Sequence, residues 1–335
     1  MKAIVYARHG LPSSHPEALF DLELPAPTPG PRDLLVRVQA VSVNPVDTKV
    51  RGSSPVQEPR VLGWDAAGVV EAVGSGVTLF RPGDAVFYAG DIRRPGSNSE
   101  LQLVDERIVG HRPRSLSPSD AAALPLTSIT AWELLFDRLG VPEGGGEGQS
   151  LLIVGAAGGV GSMLTQYARR LTKLTVIGSA SRPETAEWVR ALGAHHVVDH
   201  GRPLAAELRA AGLASVDLAA SLTHTDAHFA QLVEALRPQG RLALIDDPQS
   251  LDARALKSKS LSLHWEMMFT RSLYETPDMV RQHEVLERVA ALVDEGVVRT
   301  TASEHFGTVN AANLRRAHGF VESHRARGKV VLEGF

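Results

Sequence analysis

Apolar and polar positions keep two different rhythms along this chain, and the change falls near Ser117. Upstream, short runs rich in valine, isoleucine or leucine predict strands at Ala3–Tyr6, Leu34–Val43, Gly68–Val73 and Ala85–Tyr88. Turn-forming clusters separate them at Pro25–Pro31, Gly74–Ser75–Gly76 and Pro82–Gly83–Asp84. No helical periodicity interrupts that stretch, so it reads as a small antiparallel barrel or sandwich.

Downstream, strands alternate with helices, the pattern of a parallel sheet with crossover helices. A helix over Thr130–Leu139 ends at Gly140, and Pro142–Gly148 forms a glycine-rich hinge. Strands are predicted at Ser150–Val154, Leu174–Ile177, His196–Val198, Val216–Ala219, Arg241–Ile245 and Leu261–Trp265. Helices fill the gaps at Gly159–Leu171, Pro183–Leu192, Leu204–Ala211 and Asp226–Leu236, the second with Gly193 at its end and the last stopped by Pro238 and Gly240. About six parallel strands is the usual count of a doubly wound dinucleotide fold. The tail predicts a long amphipathic helix over Pro277–Glu295, a strand at Thr300–Phe306, a helix at Ala311–Ser323 and a strand at Lys329–Leu332. A terminal strand–helix–strand is too small to fold alone, so it should complete the N-terminal part. The expected division is 1–124 with 270–335 as one domain and 125–269 as an inserted nucleotide-binding domain.

Composition narrows the function classes. The 335 residues suffice for two cores, and 43% hydrophobic with 22% charged residues is ordinary globular usage. Lysine and arginine total 35 against 38 acidic residues, a net charge of −3, so neither nucleic acid nor an anionic membrane is an expected partner. The apolar stretch Ala3–Ala7 is too short for a signal peptide, and Leu151–Leu164 is too short and too glycine-rich to span a bilayer. There is no cysteine, which excludes disulfides, thiol catalysis and thiolate metal sites. A reducing cytoplasm is the expected location.

The chemistry starts at G-A-A-G-G-V-G: Gly155, Ala156, Ala157, Gly158, Gly159, Val160 and Gly161. The run follows an apolar strand and opens a helix, the context in which small residues let backbone amides cradle a pyrophosphate. Without a ligand it would be merely a tight turn. A fold that binds NAD usually carries an acid at the end of the second strand, bonded to the ribose. Here that strand runs into Gly178–Ser179–Ala180–Ser181–Arg182, with no carboxylate. Ser179, Ser181 and Arg182 would instead welcome a 2′-phosphate, which favours NADPH. Ser181 is equally placed to cap the helix at Pro183.

Several motifs together resemble the medium-chain dehydrogenase/reductase superfamily, in its zinc-independent quinone oxidoreductase branch, and more narrowly its zinc-type alcohol dehydrogenase-like subgroup. They are N-P-V-D at Asn44–Asp47, G-W-D-A-A-G-V-V at Gly63–Val70, P-G-D at Pro82–Asp84, L-P-L-T at Leu124–Thr127, the glycine turn, and G-K-V-V-L at Gly328–Leu332. The stretches His264–Ser272 and Asn310–Phe335 resemble the subgroup. The resemblance implies an α/β protein with a GroES-like β-rich catalytic domain and a Rossmann doubly wound parallel sheet. It also implies a cleft for nicotinamide and substrate, and a homodimer joined through the edge strand Ser260–Trp265. Zinc-dependent relatives ligate the metal with cysteines and the histidine of a Gly-His-Glu tripeptide. Here the tripeptide is Gly63–Trp64–Asp65, so no metal site is expected. His195, His196 and His200 flank a strand, and His224 and His228 start a helix; both sets fall in the nucleotide domain.

Without a metal, the negative charge that develops on a substrate oxygen needs another outlet. Quinones and α,β-unsaturated carbonyls spread that charge over a conjugated system, so they are the expected substrates. The candidate catalytic groups are Asn44, Asp47, Tyr88 and Thr127. Asn44 would donate to a carbonyl and Asp47 would bind ribose or orient a proton relay, unless N-P-V-D is only a turn. Thr127 is read as preceding a helix, as a contact or as its cap. Tyr88 carries a phenol at a strand end. Trp64 would wall the pocket, and Met267, Met268, Phe269 and Tyr274 would form an apolar lid, though such clusters are often plain core. Lys329 is placed to reach a cofactor phosphate or amide, or is solvated. The competing readings are a zinc-free alcohol or enoyl oxidoreductase with a narrower substrate, and an NADPH-binding sensor without turnover.

Overall fold

The computed structural model describes residues Met1–Phe335 and divides into two compact units, Met1–Ile129 with Phe269–Phe335, and Thr130–Met268. No helix is long and apolar enough to cross a membrane.

The first unit is organised around the strand Asp33–Val43. Its first half alternates between core and surface, whereas Ala40–Val43 is buried without interruption. It pairs antiparallel with Ala66–Val73, Leu101–Asp105 and Lys329–Glu333. Register shifts at Leu35/Val36 and Val38/Ala40 bend it along the way. The sheet has seven strands. It continues from Ala66–Val73 to Ala85–Tyr88 and Val109–His111, and from Lys329–Glu333 to the parallel strand Ala302–His305. The last residues of the chain therefore lie in the sheet that the first hundred begin. A second sheet joins Phe20–Glu23, Lys2–Tyr6 and Arg60–Val61.

The region predicted to lack helices contains one, Pro45–Ser53. Its two buried positions are Asp47 and Arg51, one turn apart on one face. Charged residues carry the buried stripe, so a search for hydrophobic periodicity passes over it. Arg51 is 2% exposed and ties this helix to Ala311–Glu322. Its Nε donates to His318 Nδ1 at 3.3 Å, and its other nitrogens donate to Glu322 and the Leu11 carbonyl. Burial and the adjacent guanidinium push His318 down to about 3, so it is a neutral acceptor.

Two helix starts also differ from expectation. The helix expected from Thr130 begins at Pro125, runs to Trp132 and continues as a π-helix over Glu133–Arg138. It is buried all round as far as Leu135, so no amphipathic stripe marks its start. The helix expected from Pro277 begins at Arg281, because Met279 and Arg281 close i→i+3 turns onto Thr276 and Asp278.

The second unit is a six-stranded, all-parallel sheet. Its order is His196–Val198, Thr175–Ser179, Ser150–Val154, Val216–Ser221, Leu236–Leu244 and Ser262–Trp265. That is the doubly wound order in which the chain reverses direction beside its first strand. Leu152, Val154, Ile177, Val198, Leu208, Phe229, Leu232 and Leu244 pack in one core between sheet and helices. The expected stop at Pro238 and Gly240 lies inside the strand Leu236–Leu244, at a register shift that accommodates the proline.

Candidate active site

In the parallel-sheet unit the fully buried strand Ser150–Val154 ends at Gly155, whose φ of +83° a side chain would strain. Gly158 N donates back to Gly155 O at 3.1 Å and caps the helix Gly159–Leu171. A Cβ on Gly161 would lie 2.3 Å from Gly155 O and 2.6 Å from Ala156 Cα. Only glycine lets the helix sit this close to the turn. A Cβ on Gly158 would meet only Gly155 O, at 3.5 Å, so the space beside that residue is open. The first-turn amides of Gly159 and Val160 have no acceptor within the helix, and they lie at its positive end. These residues fit a dinucleotide pyrophosphate.

The strand beside it runs two residues further than expected and takes in Gly178 and Ser179. Ser179 is 1% exposed; its Oγ accepts from Gly155 N–H at 3.1 Å and lies 3.0 Å from His200 Nδ1. Arg182, not Ser181, caps the helix Pro183–Ala191, and its guanidinium pairs with Glu184 at 3.1 Å. Ser181 is exposed.

In the first unit the predicted polar residues are brought together by one that was not predicted, Asp65. Its Oδ2 accepts from Asn44 Nδ2 at 2.9 Å and pairs with Lys329 Nζ at 2.9 Å, and its Oδ1 accepts from Leu126 N–H at 2.8 Å. Asp65 is 0% and Lys329 3% exposed. Burial pushes the Asp65 carboxyl up, and the ammonium pulls against it. Lys329 also donates to Val43 O at 3.2 Å and to Asn44 Oδ1. Its three N–H groups are thus all used, which leaves none for the expected phosphate or amide of a cofactor. Asn44 is committed as well, since its Nδ2 holds Asp65 and Trp64 O. It is also the N-cap of Pro45–Ser53, where its backbone N–H donates to Asp47 Oδ2 at 2.8 Å. Asn44 and Asp47 therefore act first as a capping box. The signal for Asp65 was a single acid within the otherwise apolar run Val61–Val70.

The other predicted residues divide. Thr127 lies inside the helix Pro125–Trp132, not before it, and its hydroxyl donates to Leu124 O at 3.1 Å. Tyr88 is fully buried; its hydroxyl has no hydrogen-bond partner, and burial pushes its pKa up, so it stays protonated. Trp64 is core: its Nε1 donates to Asp91 O at 3.4 Å and its ring meets Phe269 edge-on, centroids 6.2 Å apart. The expected lid does not form one surface. Met268 and Phe269 are buried, whereas Met267 is 47% and Tyr274 74% exposed.

Comparison with known proteins places this geometry. Residues 30–110 match the alcohol dehydrogenase GroES-like domain, and residues 192–332 match zinc-binding dehydrogenase. A zinc-type alcohol dehydrogenase-like protein of Staphylococcus aureus (strain MSSA476) is 43% identical over 309 residues, 91% of this chain and 92% of that one. Three solved structures share the fold. One from Rhizobium etli CFN 42, bearing a zinc-dependent alcohol dehydrogenase name, is 56% identical over 100% of this chain and 98% of its own, with a TM-score of 0.96. A Pseudomonas syringae quinone oxidoreductase is 26% identical over 99% of both, with a TM-score of 0.83. A mycobacterial protein complexed with NADPH is 26% identical over 99% of both, with a TM-score of 0.84. The chain belongs to the medium-chain dehydrogenase/reductase superfamily and is an oxidoreductase of that family, with a GroES-like domain and a Rossmann-like parallel-sheet domain.

The zinc in these names does not fit the residues present. Catalytic zinc takes three protein ligands, and cysteine is absent from the chain. Trp64 stands in place of the tripeptide's histidine, the Asn44 amide and Asp65 carboxylate are bonded to each other, and no group of three or more histidine or acidic side chains is arranged to hold a metal.

Burial pushes the Asp47 carboxyl up to about 7, against the opposing pull of the Asn44 amide and Lys329. The folded state then keeps a proton that the unfolded chain releases, so this group's contribution to stability falls as pH rises from about 4 to about 7 and is flat above. The stability of the wild type relative to Asp47→Asn, from urea unfolding, should decline across that window. A difference independent of pH would overturn the assignment.

Proposed function

We propose that this protein reduces quinones or related α,β-unsaturated carbonyls with NADPH and without a catalytic metal. The observation that carries the reading is the turn Gly155–Gly161, with its glycine-only contact at Gly161 and open space at Gly158. Gly155, Ala156, Ala157, Gly158, Gly159, Val160 and Gly161 would hold the pyrophosphate, with Ser179, Ser181 and Arg182 on the adenosine side. Bound NADPH supplies a hydride. The absence of a carboxylate at Ser179–Ser181 supports NADPH over NADH, as does the NADPH held by the mycobacterial relative.

A donor set unsuited to zinc supports a substrate that carries its own electron sink. The Pseudomonas quinone oxidoreductase supports the same class. Of the four candidate catalytic groups, three have found hydrogen-bond partners within the protein. Tyr88 has not, and its buried phenol remains an O–H donor. It is the group we assign to the developing oxyanion.

A homodimer joined through 260–265 is part of the same proposal. Ser262–Trp265 is the edge of the six-stranded sheet, and Trp265 is 52% exposed. A second copy continuing the sheet would pair the bare edge and cover the indole.

Three measurements test these statements. NADPH oxidation followed by absorbance should proceed with a quinone in the presence of a chelator and remain slow with NADH. Chelator-sensitive oxidation of simple alcohols with NADP would replace the reading with an alcohol dehydrogenase. Tyr88→Phe should lower kcat by roughly 100-fold. A stranded hydroxyl costs about 1–3 kcal/mol, so an unchanged kcat with raised stability would show the phenol to be only packed. In sedimentation the wild type should run as a dimer and Trp265→Lys as a monomer; a monomeric wild type sinks the interface.

A further inference from the structure

Three histidines lie near the carboxyl end of the strand Thr175–Ser179, the end at which doubly wound sheets bind their ligands. Ser179 occupies the strand end where an NAD-binding site presents its acid. Its Oγ receives the Gly155 N–H of the phosphate turn and lies 3.0 Å from His200 Nδ1. His200 follows the strand His196–Val198, and its ring packs at 75° to that of His228, centroids 5.8 Å apart. His228 lies on the helix Thr225–Ala235, and its Nδ1 is buried with no hydrogen-bond partner. His224 caps that helix in a left-handed conformation (φ 51°), a cost that a non-glycine residue bears when its surroundings hold it there. Its Nδ1 lies 2.7 Å from Thr223 Oγ1.

The charges around the cluster are mixed. Asp199 and His224 act on His200; His200, His224 and Asp246 act on His228. Asp246 is bonded to Thr225 N–H at 2.8 Å. Arg182 pairs with Glu184, and Arg202 with Asp199 and Glu207. No carboxylate is hydrogen-bonded to His200 or His228. Burial, with repulsion from the neighbouring imidazoles, lowers the pKa of both His200 and His228, which favours their neutral forms.

We propose that His200, backed by His228 and His224, recognises the 2′-phosphate of the dinucleotide and takes a proton from solvent as it binds. The inference rests on the reading that this unit binds NADPH, and it names the group that selects it. A phosphomonoester carries about −1.5 to −2 charges at neutral pH, which favours imidazolium beside it. Arg182 is a weaker candidate, because it is half exposed and already paired with Glu184. The only covalent change is a proton transfer: an N–H bond forms on the imidazole as the buffer acid that supplies the proton loses its bond to hydrogen.

The test is binding of NADPH and NADH, read by nicotinamide fluorescence, with proton uptake read by calorimetry in two buffers of different ionisation enthalpy. NADPH affinity should tighten by about tenfold as pH falls from about 8 to 6.5, with about one proton taken up, and NADH should show no slope. His200→Gln and His228→Gln should abolish slope and uptake and weaken NADPH by about tenfold, leaving NADH unchanged, with melting temperatures confirming folded variants. If NADPH binds without slope or uptake, or His200→Gln changes nothing, the histidine assignment falls and the cofactor reading stands. Equal loss of both dinucleotides would mean that His200 only props the turn through Ser179, which also overturns it. A wild type that binds neither would remove the cofactor reading and this inference together.

Discussion

An ammonium group in the core of the first unit must find a counter-charge and full hydrogen bonding, because an isolated buried charge is too costly to keep. Lys329 meets both demands with Asp65, Asn44 and the Val43 carbonyl. Each partner belongs to a different segment: the last strand, the end of the central strand, the cap of Pro45–Ser53, and the turn before Ala66–Val73. Asp65 adds a fifth by accepting the Leu126 amide of the next helix. Distant stretches of chain are thereby held in one register by a few charge-assisted bonds. The parts of the fold that strand pairing does not itself align are aligned here.

That arrangement also bears on the zinc names carried by relatives. The tripeptide that stands in place of the metal-binding Gly-His-Glu presents an indole and a carboxylate, Trp64 and Asp65, with the Asn44 amide bonded to the carboxylate. The amide and carboxylate bond to each other and to a lysine, and the indole packs on Phe269. A cation is present at this place, but it is the protein's own ammonium. The reduction proposed above would accordingly rest on binding, orientation and the Tyr88 phenol rather than on Lewis acidity.

The second unit runs on a different physical constraint, the close approach of backbone to backbone. Gly161 permits contact between helix and turn, and Gly155 supplies the left-handed residue that the turn requires. Ser179 then locks the turn to the neighbouring strand and connects it to an imidazole cluster. The glycine turn and the His200 imidazole are thus parts of one hydrogen-bonded chain.

Local rules made much of this readable in advance. The strand Ser150–Val154, the helix Gly159–Leu171 and the turn between them follow from apolar runs and glycine requirements within a dozen residues, and the six-strand alternation follows from repeated patterns of the same kind. The helix Pro45–Ser53 escaped because its buried face is Asp47 and Arg51, whose burial is favourable only with partners on distant segments. Lys329 and Asn44 were legible as polar residues in suggestive motifs, yet their work was not. What an ammonium or an amide does is decided by which group lies within 3 Å, and that group was Asp65, more than 250 residues from Lys329 in the chain. Likewise three histidines scattered between 200 and 228 gave no pattern, and only the parallel sheet, by bringing its strand ends to one side, set two of their rings 5.8 Å apart. Short-range sterics and periodicity thus determined the elements and the phosphate turn, whereas long-range electrostatics, set by the packing, decided which polar groups were spent and which remained available.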